Sequence, residues 1–187
     1  MRIKALRPTR LDLLAAVNRR VPDVIAPDLA VLFCGINPGL YSAATGYHFA
    51  RPGNRFWPAL HAGGFTPGVL APSENRLLLE LGYGLTNIVG RATARADELS
   101  AEELLAGRRQ LEKKVRRFAP RWIAILGITA YRIAFEHPRA ILGPQPEKLD
   151  GTGIWVLPNP SGLNANHQPT DLAREFRMLR AVAHPRG

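Results

Sequence analysis

Three short runs in this chain are apolar at every position, and each stops at a turn-forming residue. They are residues 30–36 (AVLFCGI) before Asn37-Pro38-Gly39, residues 122–126 (WIAIL) before Gly127, and residues 154–157 (IWVL) before Pro158. A run without polar alternation suits a strand buried on both faces, as in a parallel sheet. A shorter candidate spans residues 85–89. Helical patterns fall between the runs. Asn54 can cap a segment carrying Phe56, Trp57 and Leu60, residues 101–118 align Leu104, Leu111, Val115 and Phe118, and Thr170 can cap a last helix with Leu172, Phe176 and Leu179 inward. Strand and helix alternate, so the expected architecture is a three-layer α/β/α sandwich around a short central parallel sheet.

Upstream, Thr9 can cap a helix with Asp12 in its first turn and Leu14, Val17 and Val21 on one face. Pro22 and Pro27 then punctuate the chain. Residues 1–28 are therefore expected to form a helix and linker appended to a single domain over residues 29–187.

With 187 residues, 46% hydrophobic and 21% charged, the chain is long enough to bury one good core and is not broadly disordered. The 25 Lys and Arg against 15 Asp and Glu leave a formal charge of +10, which favours a polyanionic partner such as nucleic acid. The charge does not locate the contact: the basic stretch from Arg108 to Arg117 reads as a solvated helix face ahead of a phosphate clamp. The single cysteine, Cys34, excludes an internal disulfide and a cysteine-rich metal centre, and the five histidines show no ligand spacing, so no metal and no cofactor are expected. No apolar stretch reaches the length of a membrane span, and the basic start lacks a signal-peptide core; a soluble, cytoplasmic protein is expected.

In an α/β sheet, ligands bind beyond the carboxyl ends of the strands. Three features fall there: the segment from Gly35-Ile36-Asn37-Pro38-Gly39 through Gly46-Tyr47-His48-Phe49 to Pro52-Gly53-Asn54-Arg55-Phe56-Trp57, then Asn87, then Asn159-Pro160-Ser161-Gly162-Leu163-Asn164. Each Asn-Pro alone is a turn signal, but two of them after two buried strands would face one crevice. Flanking glycines let backbone approach a ligand closely. Tyr47, His48 and Phe49 could stack on a planar base or could close the core.

The GINPG, GYHF…PGNRFW and NPSGLN segments, in this order and spacing, resemble the mismatch-specific uracil-DNA glycosylase and thymine-DNA glycosylase family, over residues of about 30 to 182. The resemblance implies an enzyme of base excision repair that extrudes uracil from a G·U mismatch in double-stranded DNA and hydrolyses its glycosidic bond, leaving an abasic site. By the same resemblance, Asn37 positions the attacking water, the backbone of Ile36 meets the base edge, and Phe49 stacks on the base. Ser42 borders the room for a 5-methyl group, and Asn87 hydrogen-bonds the base. Leu163 is the wedge filling the gap in the stack, while Gly162 and Asn164 present backbone groups to the opposite guanine.

The chemistry is consistent with that. A base must leave the duplex to be reached, and an apolar side chain inserted into the stack offsets the lost stacking. A neutral carboxamide orients water without deprotonating it, so acceleration has to come from alignment and stabilisation of the departing base. Of the four lysines, Lys4, Lys113, Lys114 and Lys148, none lies in a motif, so a Schiff-base lyase step is not expected. Asp97 stands ten residues beyond Asn87; it either reaches inward as a stronger base or simply precedes or caps the helix beginning near Ser100. Two other readings compete: a non-catalytic module that senses distorted DNA, and a hydrolase of free nucleosides, whose activity would respond little to salt. A monomer is expected.

Overall fold

The apolar runs become the middle of a five-stranded sheet. The computed structural model describes residues 7–162 and 168–184. Its strands are β1 (Val31–Gly35), β2 (Tyr83–Asn87), β3 (Trp122–Leu126), β4 (Gly143–Leu149) and β5 (Thr152–Leu157), in the spatial order β2-β1-β3-β5-β4. Four strands run parallel, with Val31 opposite Tyr83 and Trp122, and Ile123 opposite Ile154. The fifth, β4, pairs antiparallel with β5 at the edge. This addition to the expected parallel sheet is disguised in sequence: its burial alternates and it carries Pro144 and Pro146, which only an edge strand tolerates.

Strict alternation of side-chain direction assigns each strand residue to one of two cores. Phe33, Ala124, Leu126, Trp155 and Leu157 face α3 (Phe56–Ala62) and α7 (Pro169–Ala183), where Phe56, Leu60, Phe176 and Leu179 complete an aromatic-rich core. Leu32, Cys34, Ile123, Ile125, Ile154 and Val156 face α5 (Ala101–Phe118) and α6 (Ile128–Ala134), meeting Leu111, Val115 and Tyr131. Cys34 is fully buried, and that burial pushes its thiol pKa up, as for an inert core cysteine. The remaining short helices are α1 (Arg10–Ala15), α2 (Leu40–Thr45) and α4 (Leu77–Glu80).

Two sequence expectations need correction. Thr9 caps α1 as expected, with Asp12 returning the bond, but Leu14 and Val17 are 59% and 47% exposed. The helix stops after six residues and Asn18 takes a left-handed φ of 63°, so the periodic face never extends to Val21; Ala16 and Val21 are buried instead. Thr170 is not the cap of α7. Pro169 takes the first helical position, where a missing N–H costs nothing, and the Gln168 N–H is satisfied by the Asp171 carboxylate at 3.0 Å.

The stretch after α1 is bonded to the sheet. Val24 exchanges both backbone hydrogen bonds with Leu85 of β2, at 2.9 and 2.7 Å. Beside it, Lys114 pairs with Asp23 at 2.6 Å and donates to the Thr86 hydroxyl at 2.9 Å, and Thr86 donates to Asp23 at 2.8 Å. No helix among the described residues is long and apolar enough to cross a membrane.

Candidate active site

A cavity of about 580 Å³ opens at the carboxyl ends of β1, β2 and β3, walled by the loops after β1 and β5. Its floor is Gly35, the last residue of β1. A Cβ there would come within 2.5 Å of Asn87 Oδ1 and 3.3 Å of the Phe49 ring, so only glycine lets those two groups close over the strand end. Asn87, the last residue of β2, is 7% exposed.

Behind Asn87 lies His48, buried to 2% exposure, with its Nε2 2.9 Å from the Pro22 carbonyl. A carbonyl only accepts, so Nε2 carries the proton and Nδ1 is left as acceptor toward the Asn87 amide nitrogen, 3.5 Å away. Burial holds the imidazole pKa below its ordinary value, which keeps this tautomer neutral. The Tyr47-His48-Phe49 cluster thus divides its work: Tyr47 is on the surface, His48 sits in the wall, and Phe49 lines the cavity. Phe49 adopts a left-handed φ of 53° and stacks on Phe56 at 4.1 Å between ring centroids. Phe56 begins α3 and its N–H is taken by the Asn54 side chain at 2.9 Å, but the cap position expected of Asn54 belongs to Arg55, one residue later. Ser42 also lines the cavity, its hydroxyl accepting the Ala50 N–H at 3.1 Å.

Asn37 follows β1 by two residues, and its amide nitrogen donates twice, to the Arg91 carbonyl at 3.0 Å and to Thr93 Oγ1 at 2.7 Å. The Thr93 hydroxyl spends its own hydrogen on the Arg95 carbonyl at 2.7 Å, so it can only accept from Asn37. The orientation of the carboxamide is therefore chemically determined: both N–H groups face the 91–93 segment, and Oδ1 is the group left for the cavity. Ala92 between those partners is locked by bonds to Asn18 and Arg19 at 3.0 and 2.9 Å, and Thr93 is 2% exposed. The Ile36 carbonyl already accepts the Val89 N–H at 2.9 Å.

The two strand-end loops are joined to each other. The Arg55 N–H donates to the Pro160 carbonyl at 2.9 Å, and its Nη2 donates to the Ser161 carbonyl at 2.8 Å. A Cβ on Gly162 would lie 2.5 Å from the Gly53 carbonyl, so this contact requires glycine. Leu163 and Asn164 lie outside the described residues. Asp97 stands at the rim in the turn Ala96–Glu98, 63% exposed, with both oxygens engaged by Arg95 at 3.1 and 2.6 Å. Ser100, not Asp97, caps α5.

Of the residues singled out in sequence, Ile36, Asn37, Ser42, Phe49, Asn87 and Asp97 all line this one cavity. Sequence reading missed Thr93, the Arg91 carbonyl, His48 as partner of Asn87, and Arg55 as the tie between loops. Among the described residues no cluster of three or more His, Cys, Asp or Glu could hold a metal ion.

The model of the uracil DNA glycosylase superfamily matches residues 22–182. The chain belongs to that superfamily. Base excision from DNA is accordingly its class of chemistry. The matched stretch begins at Pro22, whose carbonyl holds His48, and includes the glycosylase cavity and both its loops. The fold is shared with the solution NMR structure of a protein from Methanosarcina acetivorans named as a candidate uracil DNA glycosylase, at 22% identity and a TM-score of 0.55, covering 88% of this chain and 99% of the other.

Proposed function

We propose that this glycosylase is a monofunctional enzyme that removes uracil opposite guanine in double-stranded DNA, acting as a monomer. The extruded base enters the cavity against Phe49, and Asn87 hydrogen-bonds its edge. The Ile36 backbone meets the same edge, and Ser42 borders the space a 5-methyl group would need. Asn37 accepts a hydrogen bond from water through Oδ1 and aims it at C1′. The bond to the base breaks with its electron pair moving onto the base, water adds at C1′, and its surplus proton passes to solvent. A carboxamide is no general base, so turnover should be slow and should favour bases that leave readily as anions. Leu163 fills the gap in the stack, with the backbone of Gly162 and Asn164 toward the orphaned guanine. Asp97, engaged by Arg95, acts at most from the rim.

The observation that carries this reading is the fixed sense of the Asn37 amide, whose two donors are consumed and whose acceptor alone remains for a water. The test is release of free uracil from U·G, U·A and single-stranded substrates under single-turnover conditions. Release fastest from U·G, abolished by Asn37→Ala and leaving no borohydride-trapped adduct, is the expected result. A chain that binds the mismatch and releases nothing is a sensor instead.

A further inference from the structure

Arg91 is held at both ends. Its carbonyl accepts the Asn37 amide at 3.0 Å, and its guanidinium is gripped by Glu103, Nε on Oε1 at 2.5 Å and Nη2 on Oε2 at 2.9 Å. Nη2 also donates to the Glu98 carbonyl at 3.2 Å. A two-pronged pair fixes direction as well as distance, so the Arg91 carbonyl cannot swing away from Asn37 without disturbing it. Ala92 is tied to Asn18 and Arg19 on one side, and the Glu103 pair holds residue 91 from the other.

Glu103 is itself anchored. It is the third residue of α5; its Oε2 accepts the Ser100 N–H at 3.0 Å, and the Ser100 hydroxyl accepts the Glu103 N–H at 3.2 Å. One carboxylate thus closes the start of the helix and grips Arg91. The other acceptor of the Asn37 amide leads to the same place. Thr93 Oγ1 donates to the Arg95 carbonyl at 2.7 Å, and the Arg95 N–H donates to Glu98 Oε1 at 2.8 Å. Both supports of the carboxamide therefore run to the entry of α5, whose Leu104, Leu111 and Val115 are locked in the core. No residue of α5 lines the cavity.

We propose that Glu103 is a positioning residue for base excision: through the Arg91 guanidinium it fixes the carbonyl that orients the Asn37 carboxamide. The assignment rests on the role of Asn37 proposed above and extends the water-orienting apparatus to the first turn of a helix outside the cavity.

The test compares variants of the full chain. Glu103→Gln keeps an acceptor for the Ser100 N–H, so α5 still starts in place, but a carboxamide cannot accept both prongs of the guanidinium. Single-turnover uracil release from a U·G duplex at saturating enzyme should fall roughly three- to tenfold, with duplex affinity unchanged. Arg91→Lys, which keeps the charge and loses the fork, should fall alike. Arg116→Gln, which breaks the pairs with Asp150 and Glu112 toward the other end of α5, should release uracil at the wild-type rate. In an Asn37→Ala background Glu103→Gln should cost no further rate, because no carboxamide remains to be oriented, yet should lower the melting temperature as much as it does in wild type. A 5-fluorouracil substrate, whose base leaves more readily as an anion, keeps that slow background measurable. A loss of less than about twofold in Glu103→Gln, a loss confined to duplex affinity, or the same fractional loss with and without Asn37 overturns the proposal. The side-chain amide signals of Asn37 in nitrogen–proton NMR spectra, assigned by their disappearance in Asn37→Ala, read the orientation without catalysis. They should shift in Glu103→Gln and Arg91→Lys and stay in place in Arg116→Gln; unmoved signals in Glu103→Gln also overturn it. A wild type that releases no uracil overturns the glycosylase reading alone, and the amide signals still decide whether Glu103 positions Asn37.

Discussion

Replacing Thr93 by valine keeps the shape of a buried side chain and deletes one atom from the chain of hydrogen bonds that fixes Asn37. In the wild type the amide nitrogen has two acceptors, at 3.0 and 2.7 Å, and turning the amide over would set its oxygen against both. Valine leaves only the Arg91 carbonyl and strands one amide hydrogen in a buried position. A net hydrogen bond is worth about 1 kcal/mol, and an unsatisfied buried donor adds ~1–3 kcal/mol against the original orientation. A loss of about 1–2 kcal/mol in holding the water-orienting oxygen corresponds to a roughly five- to thirtyfold fall in the chemical step. Deleting the carboxamide by Asn37→Ala should cost more, on the order of a hundredfold or above, the scale for removing a preorganised polar group at a reacting centre. The assay is single-turnover uracil release at saturating enzyme, with duplex affinity measured in parallel. The expected order is Thr93→Ser near wild type, Thr93→Val intermediate, Asn37→Ala lowest, with affinity for the duplex nearly constant. A Thr93→Val rate within twofold of wild type, beside an inactive Asn37→Ala, would falsify the claim that this hydroxyl positions the amide.

Other substitutions test neighbouring contacts. Gly35→Ala should lose activity and melt lower, because its Cβ would sit 2.5 Å from Asn87 Oδ1; normal uracil release would show that Asn87 need not lie over the strand end. His48 is buried with its pKa depressed by desolvation, so the unfolded chain takes up its proton first: its contribution is intact above pH ~6.5 and is lost as pH falls through the lower folded value. Thermal melts of His48→Phe should show a shallower loss of stability below pH ~6.5 than wild type, and parallel curves would refute the buried neutral tautomer. Glu103, held at about 2 by the Arg91 guanidinium and then the Ser100 backbone, supports the fold above its ordinary carboxylate range and loses that support as pH falls toward 2. Glu103→Gln should flatten this acid limb of the melting profile, and an unchanged limb would count against the pair.

What could be read in the sequence divides along the range of the forces involved. Burial on both faces writes itself into consecutive residues, so β3 was legible to the residue and β1 and β5 within two, whereas β4 alternates, carries two prolines and looks like a loop. The parallel strands deliver their last residues to one edge, which is why Gly35, Asn87 and the loop after β5 could be expected at a single crevice before any contact was known. The orientation of the groups in that crevice is a different matter. Asn37 is oriented by atoms 54 and 56 positions away, and His48 by a carbonyl 26 positions upstream, and no local pattern marks Thr93 or Pro22 as their partners. Hydrogen bonds of this kind depend on where separate loops arrive in space, which burial periodicity does not encode. Asn37 and Asn87 can therefore be named from sequence, but which face of each amide meets a substrate follows only from the segments at 91–93 and 18–24, and it is substitutions there that distinguish a positioned carboxamide from a merely nearby one.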